Sequence, residues 1–464
     1  MSIYGAGEGR GNAATESGRS DGTGARELVT GGSVLAVALV VTNAGNYLLN
    51  LLLGRCLSPA EFADATLMVT LMLTFASISV CLAMVTARFI GIRDATGRAG
   101  DSERLAHWLR RVALAVGIVI ATIIAAGSPW WRDIFHTGSA WPFVILACGI
   151  PFYFQCAIGR GTLQGRLRFV PLAVTFLVEM AVRLSVGAGL VLLGMGVNGA
   201  TAGLALSLMA AWATVMLFRP GRSRTRATVD VVDAGEVGES ADAGSERAGV
   251  RAYAAFVSVL LVGQMVINNS DVLIAKASLS PFDAGLYSAV ALIGRAVFFL
   301  SWSVATVVFP VVALRHAKGE SGHRVLAGGI VAVLGIGTVC VVGALLFGGP
   351  VLGVVLGPDY SDLSGPLAVY ALATTLFAVA CLIASQHLAK GRIRESWVVL
   401  AGAGLQVSLL LLWHNSIAQL IGAQLVAMSV LLAAVVISHF APYHSSALDR
   451  PEADGPIANN TKVD

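Results

Sequence analysis

Apolar residues in this chain gather into long runs, with nearly all of the charged residues in the gaps between them. Twelve runs approach or exceed the ~20 residues that a ~30 Å hydrocarbon layer requires. They cover residues 33–54, 63–87, 112–127, 141–158, 171–193, 197–218, 253–275, 284–314, 325–347, 366–388, 397–413 and 417–440. A segment in lipid must satisfy its own backbone hydrogen bonds, so each run predicts a helix. The third and eleventh are short, and Trp108 and His414 extend them at the interface.

The runs repeat. Leu57-Ser58-Pro59 followed by Ala60-Glu61-Phe62-Ala63-Asp64-Ala65 returns 222 residues later as Leu279-Ser280-Pro281 followed by Phe282-Asp283-Ala284-Gly285-Leu286-Tyr287. Arg93 pairs with Arg315, Pro142 with Pro366, and Gly165-Arg166-Leu167-Arg168 with Gly391-Arg392-Ile393-Arg394 at nearly the same offset. The reading is an all-α polytopic membrane protein of two six-helix bundles, residues 33–218 and 253–440, related by an internal repeat. A hydrophobic unit used twice is the mark of a transporter.

Composition agrees, because 56% hydrophobic and 12% charged residues over 464 positions leave too little polar surface for a water-soluble shell. Charge then orients the chain. The tails and alternate connections hold 26 of the 31 basic residues, whereas the other connections hold only Arg55, Arg132 and Lys276. Both termini are therefore expected in the cytoplasm. Residues 1–32 read as a disordered tail, 219–252 as a linker running from basic to acidic, and 441–464 as a second tail. Arginine outnumbers lysine 27 to 4 among abundant Ala, Gly and Val, which points to a bacterial gene and its plasma (inner) membrane. The six cysteines lie mostly within apolar runs, so no disulfide framework or thiolate metal site is expected. A phosphate-binding loop is missing, which argues against ATP hydrolysis.

Ionisable groups inside the runs are the functional candidates, since each costs roughly 2.5 to 3.5 kcal/mol even on a lenient insertion scale. Glu179 and Arg183 lie four apart, suited either to a structural ion pair or to the wall of a transport cavity. Arg295 lies ~16 Å deep at 1.5 Å per residue. It has no acid within four positions, so its partner must be a ligand or an acid from another helix, Glu179 or Asp271. Asp271 closes the run Asn268-Asn269-Ser270-Asp271, and Asn43, Asn46 and Asn50 share a face of the first helix. Asn46 and Asn268 correspond under the repeat. Taken singly, such asparagines are interhelical glue worth ~0.6 kcal/mol each; facing each other across the halves, they would form a polar cavity wall. The acids Asp271 and Glu179 are candidates for a coupling cation, proton or sodium, and no other cofactor or metal is expected.

The stretch from Asn268 to Ala289, continuing through Gly294-Arg295 to Val308-Phe309-Pro310, resembles the membrane-spanning polysaccharide-biosynthesis proteins. These are the lipid-linked oligosaccharide flippases of the multidrug/oligosaccharidyl-lipid/polysaccharide exporter superfamily. Gly54 to Phe62, Gly161 to Phe169 and Glu179 to Leu184 agree, and the resemblance spans about residues 33–440. It implies two six-helix bundles around a cationic cavity lined by helices one, two, seven and eight, on which Asn46, Asn268, Asp271 and Arg295 fall. It also implies transport by alternating access of an isoprenoid-pyrophosphate-linked glycan, with Arg295 and Arg183 as counter-charges. The partners implied are that lipid-linked glycan, membrane lipids, a glycan polymerase and export machinery; nucleic acid is not among them. Rival readings are a cation-coupled multidrug antiporter of the same superfamily, a membrane glycan polymerase or ligase, and a transport-dead scaffold. The antiporter needs an acid-lined pocket, which two mid-membrane arginines oppose.

The predicted topology is tested by impermeant thiol labelling of intact cells carrying single cysteines. Positions 135 and 360 are expected to react and positions 100, 235 and 455 to stay protected; labelling at 235 would overturn the orientation.

Overall fold

The computed structural model describes residues 30–94, 100, 102–218, 258–301, 304, 324–385 and 396–439. The expected tails, the 219–252 linker, Arg315 and residues 391–394 lie wholly or almost wholly outside these.

All regular structure among the described residues is helical. The first half comprises α1 (Asn12–Cys56), α2 (Pro59–Ala95), α3 (Ala99–Ala126), the short α4 (Ser128–Ile134), α5 (Trp141–Gly165), α6 (Phe169–Leu190) and α7 (Gly196–Leu217). The second comprises α8 (Ala243–Ser278), α9 (Pro281–Gly294), α10 (His323–Val355), α11 (Ser364–Ala389), α12 (Arg394–Leu412) and α13 (Ile417–Phe440). Ten described stretches are long and apolar enough to cross a membrane; one of them, Phe169–Leu217, holds both α6 and α7, and Ser396–Leu412 is a shorter apolar helix. The twelve predicted crossings are thereby accounted for, and the chain is a multi-pass membrane protein. A single π turn, Val191–Met195, joins α6 to α7. Gly194 (φ 85°) and Gly196 (φ 52°) take backbone angles there that a side chain would strain.

The repeat is visible in the packing. α6 lies against α1 and α7, and α5 against α2, α3 and α7; likewise α12 lies against α8 and α13, and α11 against α9, α10 and α13. Its sequence signature has a local cause. Ser58 opens α2 by accepting from the Glu61 amide (3.4 Å), while Glu61 Oε2 accepts from the Ser58 amide (3.1 Å) and hydroxyl (2.8 Å). At α9 the Ser280 hydroxyl accepts from the Asp283 amide (3.1 Å) and donates to Asp283 Oδ2 (2.7 Å). Both are Ser-x-x-acid caps with proline at the first helical position. Leu57 and Phe62 are buried in one apolar cluster, as the staple around such a cap requires.

The second repeated motif is a clamp at the opposite end. Arg166 reaches Asp94 (2.8 Å) and Glu103 (3.2 Å), and Arg168 donates to the Phe218 carbonyl at the end of α7 (3.1 Å). Between them Leu167 is held at φ 54°, an angle that persists only when its surroundings fix it.

The halves meet through α2, which packs on α8 and α9. At the end carrying the two Ser-Pro turns, here the hairpin end, residues of both halves share one core: Leu49, Leu53, Leu57, Phe62 and Ala63 with Val272, Leu279, Ala284, Tyr287 and Leu356. Phe62 meets Tyr360 edge-on, with ring centroids 6.5 Å apart. A Cβ on Gly285 would strike the Pro59 carbonyl, so only glycine permits this approach. Toward the other end, the tail end, a separate cluster forms from C-lobe residues alone, among them Leu260, Val333, Phe377, Val399 and Val435.

Several sequence expectations change. The fourth predicted run is α5, which extends to Gly165 rather than stopping near 158, so Arg160 is a buried helical residue and not part of a loop. Lys276 likewise belongs to α8 and is buried. These shifts take one residue from each set in the charge count and leave the bias intact. Within the expected 284–314 run, α9 ends at Gly294, Arg295 makes a turn and helix resumes at 296–301. Tyr360, a labelling position above, is 2% exposed, so exposed Asp362 replaces it in that experiment.

Candidate functional site

Each lobe buries its own charged cluster. In the N-lobe, α6 carries Glu179 and Arg183 one turn apart, and α5 brings Arg160 against them. Arg160 Nη2 lies 2.7 Å from Glu179 Oε2, while Arg183 Nη2 takes the other oxygen, Oε1. Arg160 also donates to the Thr175 hydroxyl and carbonyl, both at 3.0 Å, and its guanidinium stacks 3.9 Å from the Phe176 ring centroid. Arg183 donates to Ser207 on α7 and Asn46 on α1, both at 3.2 Å. Two arginines thus share one carboxylate, and a net positive charge remains in a low-dielectric interior where its field is weakly screened.

In the C-lobe, Asp271 on α8 is fully buried and uses both oxygens. Oδ1 lies 2.6 Å from Arg295 Nη2; Oδ2 accepts from Tyr370 (2.8 Å) and Tyr287 (3.2 Å). Arg295 Nε donates to Tyr370 Oη (3.2 Å), and Tyr287 reaches Gln424 on α13 (3.4 Å). The turn at Arg295 suits this geometry, since Gly294 lies too close to the Tyr370 ring for a Cβ. Of the two acids weighed as partners for Arg295, Asp271 is the one in contact.

The asparagines divide. Asn46 joins the N-lobe cluster, Asn50 donates to the Asn46 carbonyl of its own helix (2.8 Å), and Asn43 is exposed. Asn268 donates to the Gln264 carbonyl (2.9 Å), while Asn269 is buried in α8. The bonded members of both stripes therefore hold to their own lobes.

Arg160 and Tyr370 are the site residues missed in the sequence. For Arg160 the signal lay in the flanking glycines Gly159, Gly161 and Gly165, which let α5 press against α2 and α7: a Cβ at Gly161 or Gly165 would meet the Ala83 or Ala87 carbonyl, and one at Gly159 would meet Val215. Tyr370 sits in an apolar run and carries no signal of its own. Among the described residues no group of His, Cys, Asp and Glu is arranged to hold a metal ion.

No protein-family model matches the sequence, and no curated protein does either. Solved structures match over most of the chain. An inward-facing multidrug resistance MATE family transporter of the MOP superfamily superposes with a TM-score of 0.66 at 13% identity, covering 84% of this chain and 93% of its own. The lipid II flippase MurJ in an inward closed conformation gives 0.66 at 12% identity and 87% of both chains. An outward-facing MATE family transporter gives 0.56 at 15% identity over 89% and 94%. The chain has the two-lobed, twelve-helix fold of these MOP-superfamily transporters.

The shared carboxylate makes the N-lobe cluster asymmetric to mutation. Glu179→Gln leaves Arg160 and Arg183 side by side without a counter-charge and is expected to cost about 3–5 kcal/mol. Arg183→Gln keeps the Arg160–Glu179 pair and should cost less than half as much. Thermal unfolding of the purified variants in detergent decides this, and equal losses would refute the sharing.

Proposed function

We propose that the chain is a secondary-active flippase carrying an isoprenoid-pyrophosphate-linked oligosaccharide across a bacterial inner membrane for cell-surface polysaccharide export. The fold is common to drug transporters and lipid flippases, so it cannot separate the two. Interior charge carries the choice. The buried ion pairs contain Arg160, Arg183, Arg295 and Lys276 against Asp64, Glu179 and Asp271. Every one of these carboxylates is already opposed by a cation, and the surplus is positive. Among these buried groups an organic cation would find no unopposed acid, whereas a pyrophosphate would be drawn in by the spare charge and the forked donors of arginine.

In this reading the lobes rock so that their contact at the hairpin end opens and recloses, the saccharide and pyrophosphate cross between them, and the isoprenoid tail stays in lipid. Arg183 and Arg295 turn from their carboxylates to the pyrophosphate. Asp271, released in that exchange, takes the coupling cation, a proton or sodium; Glu179, the other candidate, would have to do so while still held by Arg160. The sugar's dehydration is offset by polar groups of the cavity wall, with Asn43 already exposed on α1.

Proteoliposomes loaded with a fluorescent isoprenoid-pyrophosphate saccharide, and separately with ethidium, test the proposal. The protein is expected to flip the saccharide lipid under an ion gradient and leave ethidium untransported, and Arg183→Gln should abolish flipping while remaining folded. Gradient-driven ethidium transport without saccharide flipping would establish the antiporter instead.

A further inference from the structure

One buried ion pair belongs to neither lobe. Lys276 on α8 is 2% exposed, and its Nζ lies 2.6 Å from Oδ1 of Asp64 on α2. The carboxylate is positioned by its own lobe, because Oδ2 accepts the Gly138 amide (3.0 Å) from the turn between α4 and α5. Buried Thr137 closes that turn by donating to the Ser139 carbonyl (3.0 Å). The N-lobe therefore presents a fixed acceptor, and the C-lobe inserts a lysine into it. The surroundings are the apolar hairpin-end core, including Phe62, Ala65, Val272 and Ala275.

We propose that Asp64 and Lys276 form a latch that holds the lobes closed at the hairpin end and releases when they part. The inference rests on the alternating access put forward above. Among the described residues, neither Lys276 Nζ nor Asp64 Oδ1 makes a hydrogen bond to any other group. Desolvating both ions then offsets most of their attraction, which makes a closure that can reopen rather than a permanent staple. Once water enters between the lobes, both charges regain hydration and the attraction falls with the rising dielectric. Removing one partner acts oppositely on the two states: it strands a dry charge in the closed state and costs little in the open one. The latch is also single. The repeat places Leu286 opposite Asp64 and Gly54 opposite Lys276, so the symmetry-related pairing does not exist.

The test is labelling of one buried reporter, Ala284→Cys (1% exposed), in a background lacking the six native cysteines. The purified protein sits in lipid nanodiscs and reacts with a sulfonated maleimide. With the latch intact, labelling is slow. Lys276→Met and, separately, Asp64→Asn are each expected to speed it by about tenfold or more, because each strands one ion only in the closed state. Asp64→Asn keeps an oxygen for the Gly138 amide, so the N-lobe turn is undisturbed. The double variant Asp64→Leu/Lys276→Met replaces the pair by apolar groups and should return labelling to the slow rate. A well-folded single variant that labels at the unaltered rate would overturn the latch alone. Absence of labelling in every variant would overturn alternating access with it. The reagent reads the lobes and not the cargo, so failure of saccharide flipping would leave a positive latch result standing.

Discussion

Charge buried away from water must be opposed, and this constraint arranges most of what is distinctive in the molecule. The Glu179 carboxylate binds α5 to α6 through Arg160 and draws Arg183, which in turn reaches α1 and α7. Asp271 gathers α8, the turn after α9 and α11 around one carboxylate. Each cluster ties together helices of a single lobe. Among the described residues, only the Asp64–Lys276 pair crosses between the lobes. Strong links within lobes and a marginal link between lobes are what rocking requires.

The apolar packing has the same polarity. The lobes share a core at the hairpin end, where Gly285 allows Pro59 to touch α9, while the tail-end cluster of the C-lobe is its own. Among the described residues, shared packing across the boundary gathers at the hairpin end, which defines a closed side.

Much of this was legible in the sequence. Run length gave the twelve crossings, and the Leu-Ser-Pro echo gave the two halves, because a Ser-x-x-acid cap is a local chemistry that each copy must repeat. The Glu179–Arg183 pair followed from spacing alone. What escaped depended on tertiary approach. Arg160 looked like a loop residue because the apolar run stops near 158, although three glycines carry α5 on between its neighbours. Lys276 looked like a positively charged connection, since nothing in its own segment reveals an aspartate 212 residues earlier. The sequence leaves the partner of Arg295 between a ligand and two acids, Glu179 and Asp271, and only the fold brings Tyr370 and Asp271 to the same point.

The central claim, two rigid lobes closed at one end and free to exchange that closure for the other, is tested most directly by paired distance measurements. Spin labels at Cys56 and Phe282 report the hairpin end, and labels at Phe89 and Arg324 the tail end, all four being exposed positions on opposite lobes. Double electron–electron resonance in nanodiscs should resolve two populations, one with the hairpin-end distance short and the tail-end distance long, the other reversed. A single unchanging distance at both ends, or shifts in the same direction, would contradict the account.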